Sequence, residues 1–147
     1  MESTYTSRKA IRRDGREHFA EVTVRASPCE PPSQVTLLAS AHEDLRSAFG
    51  EDFEYHRHNV YAAVKVQIEI ANVAGEMPHV GASSFRAEVL CVRVSGDEGR
   101  ELCGFLLTVA GMDAIAEYLY AWEHEQEAGA DGGPRDPGPK EDASGRP

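Results

Sequence analysis

The clearest pattern in the chain is an alternation of apolar and polar residues from 18 to 26. Because successive side chains of a strand point to opposite faces, this alternation predicts a strand with one buried face. The proline-rich segment SPCEPPS that follows predicts a loop. The side chains expected on the buried face are Ala20, Val22, Val24 and Ala26.

The segment 60–73 fits two periodicities. Its β-branched and alanine residues occupy six successive even positions from Val60 to Ile70, which favours a strand. On a helical wheel, however, its polar residues share one narrow arc, so a helix is the alternative. We predict a strand here. The residues on that arc are Tyr61, Lys65, Glu69 and Asn72.

Two helices and a further short strand are also predicted. Residues 34–38, QVTLL, fit a strand, and Ser40 with Glu43 has the spacing of a capping box before a short helix that Gly50 ends. Residues 108–127 form the closing helix, with Thr108 as its cap. Apolar residues recur along it at helical spacing, which is typical of a core-packing face; a partner-binding face is the alternative. They are Met112, Ile115, Ala116, Leu119, Tyr120 and Trp122.

Residues 85–94 and 100–107 flank the turn sequence SGDEG, which predicts a β-hairpin. Its register would place Cys91 opposite Cys103 and Val89 opposite Phe105. The chain has three cysteines and no CxxC pair, so we expect buried free thiols rather than a disulfide framework.

These elements give an α+β fold of a single domain, with a mainly antiparallel sheet and about two helices on one face. The domain is expected to span residues 3–127. Residues 128–147 are dominated by Gly, Pro, Asp and Ala, so we predict a disordered tail.

Charge narrows the range of partners. The net charge is −10, so an acidic surface disfavours binding of free nucleic acid. The N-terminal residues lack the apolar stretch of a signal peptide, and no segment approaches the roughly 20 apolar residues of a membrane span. We therefore expect a cytoplasmic protein with no membrane contact.

Motifs for catalysis are sparse. The sequence contains no GxxxxGK[ST], GxGxxG, HExxH or GxSxG, and no cofactor is implied. The segment EYHRH offers the best metal ligands, because His56 and His58 would project together from an extended chain, and His79 or Cys29 would have to join them. Paired surface histidines are the alternative interpretation.

The segment YTSRKAIRRDGREHFAEVTVRASPCE, residues 5–30, resembles the start of domain IV of elongation factor G and of the ribosomal-protection proteins. In that family a basic lead precedes a strand of the form H-F/Y-A-E-V-x-V-x-x-x-P. AEVLCVRVSGDEG resembles the family's later strand, and GMDAIAEYLYAWEH resembles its final helix. The resemblance implies a fold like the second domain of ribosomal protein S5 and contact with ribosomal RNA at the decoding site.

Together these observations predict a small non-catalytic binding module, ribosome- or translation-associated, whose partner is a protein or a ribonucleoprotein. The alternative is a small enzyme or metal-dependent accessory protein that uses the three histidines. The sequence leaves the oligomeric state open. The residues predicted to bind the partner are Arg8, Lys9, Arg12, Arg13, Arg16 and Trp122.

Overall fold

A computed structural model of the protein describes residues 2–95 and 100–132. Within these two ranges four strands and four helices follow one another, and a 3-10 turn at Gly50–Asp52 joins the first two helices. In order they are β1 (Ser3–Arg13), β2 (Arg16–Cys29), β3 (Gln34–Leu37), α1 (Ala39–Phe49), α2 (Phe53–Ala74), α3 (Pro78–Gly81), β4 (Ser84–Val94) and α4 (Arg100–Gly132).

The four strands form one mixed sheet in the order β1-β2-β4-β3. The β1–β2 and β2–β4 pairs are antiparallel, and only the short β3 runs parallel to β4. Beyond the end of β3, helix α1 lies along this edge of the sheet, where its Asp44 carboxylate accepts a hydrogen bond from the Val92 N–H of β4. The predicted α+β class and mostly antiparallel sheet are confirmed, although the structure has more helices than the two expected.

The core lies between one face of the sheet and the helices α2 and α4. The alternation in β2 is confirmed, since all four of its predicted inward side chains are buried. They pack in the same cluster as side chains from β4 and from both long helices. Its largest fully buried members include Phe85, Val60, Val64, Ile68, Ile115 and Leu119.

The strand predicted at 60–73 is wrong, because this segment is the second half of α2. A four-residue spacing places Val60, Val64 and Ile68 on the buried side of the helix. Val66 and Ile70, which alternation would have buried with them, are exposed. The run of even-numbered apolar residues therefore belongs to two faces of a helix, of which only one meets the core.

The predicted hairpin of residues 85–94 and 100–107 is also wrong. Its first arm is β4, but the second arm forms the first turns of α4. Cys103 consequently lies in the core beside Ser95 rather than across a strand pair from Cys91, and all three cysteines are free. The predicted turn residues 96–99 lie outside the described residues.

Two predicted helix caps are not formed. Helix α1 begins after Leu38 without a side-chain cap, and the Ser40 hydroxyl donates instead to the Leu90 carbonyl on β4. Thr108 lies inside α4, where its hydroxyl donates to the carbonyl of Gly104. Gly50 ends α1 as predicted.

Strand β1 was missed by the sequence analysis, which treated residues 3–13 as a basic lead. It pairs with β2 along its whole length through a two-residue turn at Asp14 and Gly15. Both turn residues have positive φ, at 54° and 76°, as a tight hairpin turn requires.

Helix α4 departs from two further expectations. Residues 128–132, assigned to the tail, are its last turn, and residues 133–147 lie outside the described part of the chain. Its segment Leu102–Gly129 is long and apolar enough to cross a membrane by length and composition, contrary to the expectation that no segment approaches that limit. More than half of that apolar window, 56%, is buried inside the domain, as in the core helix of a soluble protein.

Candidate functional site

The β1–β2 hairpin extends beyond the rest of the sheet. Strand β4 pairs with β2 only from Ala20 to Cys29, so residues 16–19 of β2 are paired in the sheet with β1 alone. Two hydrogen bonds mark the point where β4 leaves the hairpin: the Ser95 N–H donates to the Phe19 carbonyl, and the Phe19 N–H donates to the Ser95 hydroxyl. All side chains from 11 to 17 are exposed. The end of the hairpin is therefore a projecting two-stranded ribbon.

Three of the predicted partner-binding arginines lie at the end of this ribbon. Arg13 is directly opposite Arg16 in the strand register, and Arg12 donates a hydrogen bond of 3.1 Å to the Gly15 carbonyl. Like charges facing each other across a strand pair destabilise it, so the hairpin concentrates positive charge at a local energetic cost. We call Arg12, Arg13 and Arg16 the arginine tip.

The other two basic residues of the predicted cluster are engaged within the domain. The Arg8 guanidinium lies 3.2 Å from Glu17 and 3.7 Å from Glu21, and it stacks over the Phe19 ring. Lys9 lies 3.2 Å from Asp113 on α4. The structure thus places Arg12, Arg13 and Arg16 at the end of the hairpin, and it pairs Arg8 and Lys9, further from the turn, with acidic side chains.

The sheet face that the helices leave open is also electrically balanced. Arg25 lies 2.8 Å from Glu88, and Arg93 lies 2.9 Å from Glu21. These pairs cross from β2 to β4 and leave no excess of positive charge in the middle of the sheet. The arginine tip differs from these residues in its position, at the exposed end of the hairpin.

Trp122, the sixth predicted contact, packs within the protein. Its ring meets Phe85 edge-on with centroids 5.0 Å apart, and it lines the core as a partly buried residue. An indole in this position stabilises the contact between α4 and β4 through apolar and aromatic packing.

The three histidines proposed as metal ligands have different surroundings. His56 is buried on α2 and stacks on Phe49 with centroids 3.7 Å apart, while His58 is exposed on the same helix. His79 is on α3, where its Nδ1 lies 2.7 Å from Glu123. Within residues 2–95 and 100–132, no group of three or more His, Cys, Asp or Glu side chains is arranged to hold a metal ion.

His56 lines a cleft between α2 and α4 that the sequence analysis missed. Its ring is only 7% exposed, and its Nδ1 has no hydrogen-bond partner in the described part of the chain. Burial lowers the pKa of His56, and the nearby Asp52 carboxylate opposes this effect only in part. The imidazole is therefore a neutral group at the floor of the cleft.

The cleft has a volume of about 580 Å³, which is within the range of ligand pockets. The rings of Tyr55 and Phe105 border it and are more than half exposed. One wall includes Gly104 and Phe105 from the predicted strand 100–107, and the other comes from residues 52–59, which were assigned to no helix, so the pairing of α2 with α4 was not available to reveal the cleft. Its other lining residues are Asp52, Asn59, Gly104 and Thr108.

A second buried polar group, Glu123 on α4, has a structural explanation. Its carboxylate accepts hydrogen bonds from the backbone N–H groups of His79 and Val80 and contacts the His79 ring. Burial would raise the pKa of Glu123, but these hydrogen bonds outweigh burial and hold the pKa below its ordinary value. Glu123 therefore ties the first turn of α3 to α4 as a carboxylate.

Comparison with known proteins gives no family assignment: no protein-family model matches the chain, and no curated protein matches it.

Proposed function

We propose that this protein is a non-catalytic binding module whose arginine tip contacts a polyanionic or acidic surface on a protein or ribonucleoprotein partner. The observation that carries the proposal is the projection of Arg12, Arg13 and Arg16 on a ribbon beyond the sheet. A chain of net charge −10 that concentrates positive charge at one projecting point has the charge separation expected of an electrostatically guided contact.

The same charge distribution favours an assembly over free nucleic acid as the partner. An acidic domain is repelled by an extended phosphate backbone, whereas a narrow ribbon reaches into a recess and keeps the acidic body outside. Guanidinium groups suit this role because their planar donors bind phosphate and carboxylate oxygens in pairs.

A ribosomal or translation-associated partner is the version of this proposal that the resemblance to domain IV of elongation factor G supports. The resembling segment, residues 5–30, contains most of β1, the arginine tip and all of β2. The proposal includes a cytoplasmic location. It includes no nucleotide hydrolysis by the module itself, because the sequence contains no nucleotide-binding loop.

The test is cosedimentation of the protein with ribosomes from a native extract at increasing salt. Changing Arg12, Arg13 and Arg16 together to Ser should weaken association at low salt at least tenfold and flatten its salt dependence, because about three counterion-releasing contacts are lost. The fold should remain intact, since exposed charges contribute less than about 1 kcal/mol each. Circular dichroism and the unfolding midpoint check this.

A charge-matched control separates the tip from net charge. Changing Arg46, Arg86 and Arg93 to Ser removes three other exposed arginines and gives the same net charge. This control should keep most of the association. Equal binding by wild type and the tip variant would rule out the tip as the contact, and a pull-down that returns only an acidic protein would replace the ribosome as the partner.

A further inference from the structure

We infer that the outer surface of α2 and α4 docks an amphipathic helix of another protein, whose apolar stripe is flanked by lysine or arginine. This inference does not depend on the arginine tip. Of the seven large apolar side chains that are well exposed in the described residues, six are on these two helices, and Ile11 is the seventh. The six are Tyr55, Val66, Ile70, Val73, Phe105 and Tyr120.

The exposed residues form a stripe on each helix. On α2 they recur at helical spacing, so they share one side of the helix opposite much of the core-facing side. On α4 a second stripe begins at Phe105 and includes half-buried residues. The α2 stripe is Tyr55, Ala62, Val66, Ile70 and Val73, and the α4 stripe is Phe105, Val109, Met112, Ala116 and Tyr120.

The two stripes lie side by side because α2 and α4 pack in parallel. His56 touches Gly104 near the start of both helices, and Val60 and Val64 lie against Gly111 further along. From Tyr55 to Val73 the α2 stripe rises by about 27 Å, the length of a helix of roughly 18 residues. We call the combined surface the α2/α4 face.

Helix α4 itself indicates that this face is covered in a complex. It carries apolar residues on an exposed side as well as on its core-facing side, since Phe105 and Tyr120 are exposed while Leu107 and Leu119 are buried. The sheet and α2 therefore cover only part of the apolar surface of α4. A contiguous exposed apolar surface with a polar border commonly marks an interaction site.

Charge identifies the occupant. Acidic side chains outnumber basic ones around the α2/α4 face, where Lys65 and the ion-paired Arg57 are the cations among the described residues of α2. A second copy of the chain would bring the same acidic border against this one, which is unfavourable. A basic helix would meet opposite charge. The acidic residues that lie beside the exposed rings of the face are Asp52, near Tyr55 and Phe105, and Glu76, Glu117 and Glu127, near Tyr120.

The chain's own remaining residues do not supply the occupant. Residues 133–147, GPRDPGPKEDASGRP, contain no Leu, Ile, Val, Met or aromatic residue. Such a segment has no apolar side chains to place over Val66, Ile70 and Val73. Residues 133–147 are therefore not the proposed occupant.

The His56 cleft lies at one end of the α2/α4 face and fits a cationic side chain of that partner. The rings of Tyr55 and Phe105 border it, and the Asp52 carboxylate lines it. A lysine or arginine here would gain a cation–π contact and an opposite charge, while the neutral His56 adds no repulsion. The cleft thus fixes the end of the face at which the partner's basic residue binds.

The first probe is a fluorescent 18-residue model peptide with a leucine stripe flanked by lysines, and its matched counterpart has glutamate in place of lysine. The lysine peptide should bind the full-length protein, and the glutamate peptide should bind at least tenfold more weakly. Changing Val66 and Ile70 to Ser should reduce binding of the lysine peptide at least tenfold. Asp52→Asn should reduce it at least threefold.

Ile11→Ser is the matched control, because Ile11 is 44% exposed, as is Val66, but lies on the hairpin. It should leave peptide binding unchanged. Equal binding by wild type and the Val66/Ile70 variant, with unchanged unfolding midpoints, would overturn the inference. Chemical-shift changes from the peptide should fall on α2 and α4, and changes confined to other elements would overturn it too.

Two other occupants have distinct outcomes. A wild-type dimer in size-exclusion chromatography that becomes monomeric in the Val66/Ile70 variant would assign the face to a second copy. Cosedimentation with phosphatidylglycerol vesicles, lost in the same variant, would assign it to a membrane. Either result would overturn the partner helix, for which we expect a monomer that does not bind these vesicles.

Discussion

At the scale of single residues, the closest approach between the two long helices depends on one glycine. A Cβ added to Gly104 would lie 2.5 Å from Cε1 and 2.9 Å from Nδ1 of His56. His56 cannot easily move away, because its ring stacks on Phe49 and is almost fully buried. Gly104 is therefore required by packing, although glycine inside a helix is less favourable than alanine.

Gly104→Ala should consequently destabilise the protein by about 1–2 kcal/mol. The free-energy cost of overpacking exceeds the gain from the higher helix propensity of alanine. Gly129→Ala is the control on the same helix, because nothing lies within 4 Å of its added Cβ. That variant should be neutral or slightly more stable. Urea unfolding of both variants is the measurement, and an unchanged midpoint for Gly104→Ala would show that His56 moves freely.

At the scale of elements, sequence periodicity succeeded where a segment has one buried and one polar face. Strand β2 is such a segment, and β4 was located to within a residue at its N-terminal end. Strand β1 was missed because its inward positions are mostly polar, as shown by Ser7, whose buried hydroxyl donates to Asp113 at 2.7 Å. Local apolar alternation cannot reveal a strand whose inward side chains are satisfied by a helix distant in sequence.

The errors in α2 and at the start of α4 have a different physical cause. Both segments carry apolar residues on more than one face, because the core covers one face and a second remains exposed as Val66, Ile70 and Phe105. A helix with two apolar faces loses its 3.6-residue signal and imitates alternation. The His56 cleft was hidden for the same reason, since it forms only where these two helices meet.

The junction of α3 with α4 depends on Glu123, and substituting this residue tests the junction directly. Glu123→Ala should cost about 2–3 kcal/mol, because it leaves the buried N–H groups of His79 and Val80 without their charged acceptor. Glu123→Gln should cost less, since one side-chain oxygen remains. Glu125→Ala, an exposed change on the same helix, should stay within about 0.5 kcal/mol of wild type.

The pH dependence of this effect has a definite sign. The pKa of Glu123 in the folded protein lies below its ordinary value of 4.5, so the carboxylate stabilises the fold above that value. This contribution is lost as the pH falls through the folded-state pKa. The difference in unfolding free energy between wild type and Glu123→Gln should therefore shrink on acidification below pH 4.5. A constant difference would mean that the charge is not what holds α3.

At the scale of the whole molecule, positive charge and exposed apolar surface occupy separate places. The arginine tip projects from the hairpin, whereas the α2/α4 face lies on the helical layer behind the sheet. Substitutions at the arginine tip and at the α2/α4 face should therefore have additive effects on the free energy of unfolding. Under the two proposals, the arginine tip and the α2/α4 face could therefore be occupied at the same time.

The residues that follow α4 provide a test at this scale. Residues 133–147 contain three basic and three acidic residues, so deleting them leaves the net charge at −10. They also contain no large apolar side chain, so they cannot gain much from burial against the domain. A chain that ends at Gly132 should therefore unfold within about 0.5 kcal/mol of the full sequence.

A chain that ends at Trp122 is the contrasting control for this deletion. It lacks Glu123 and should be strongly destabilised, because the two N–H groups of α3 then lose their buried acceptor. The chain ending at Gly132 should also bind the lysine model peptide as tightly as the full sequence. Tighter binding after the deletion would mean that residues 133–147 compete for the acidic border of the α2/α4 face through Arg135, Lys140 and Arg146, and a lower unfolding midpoint would mean that they dock on the domain.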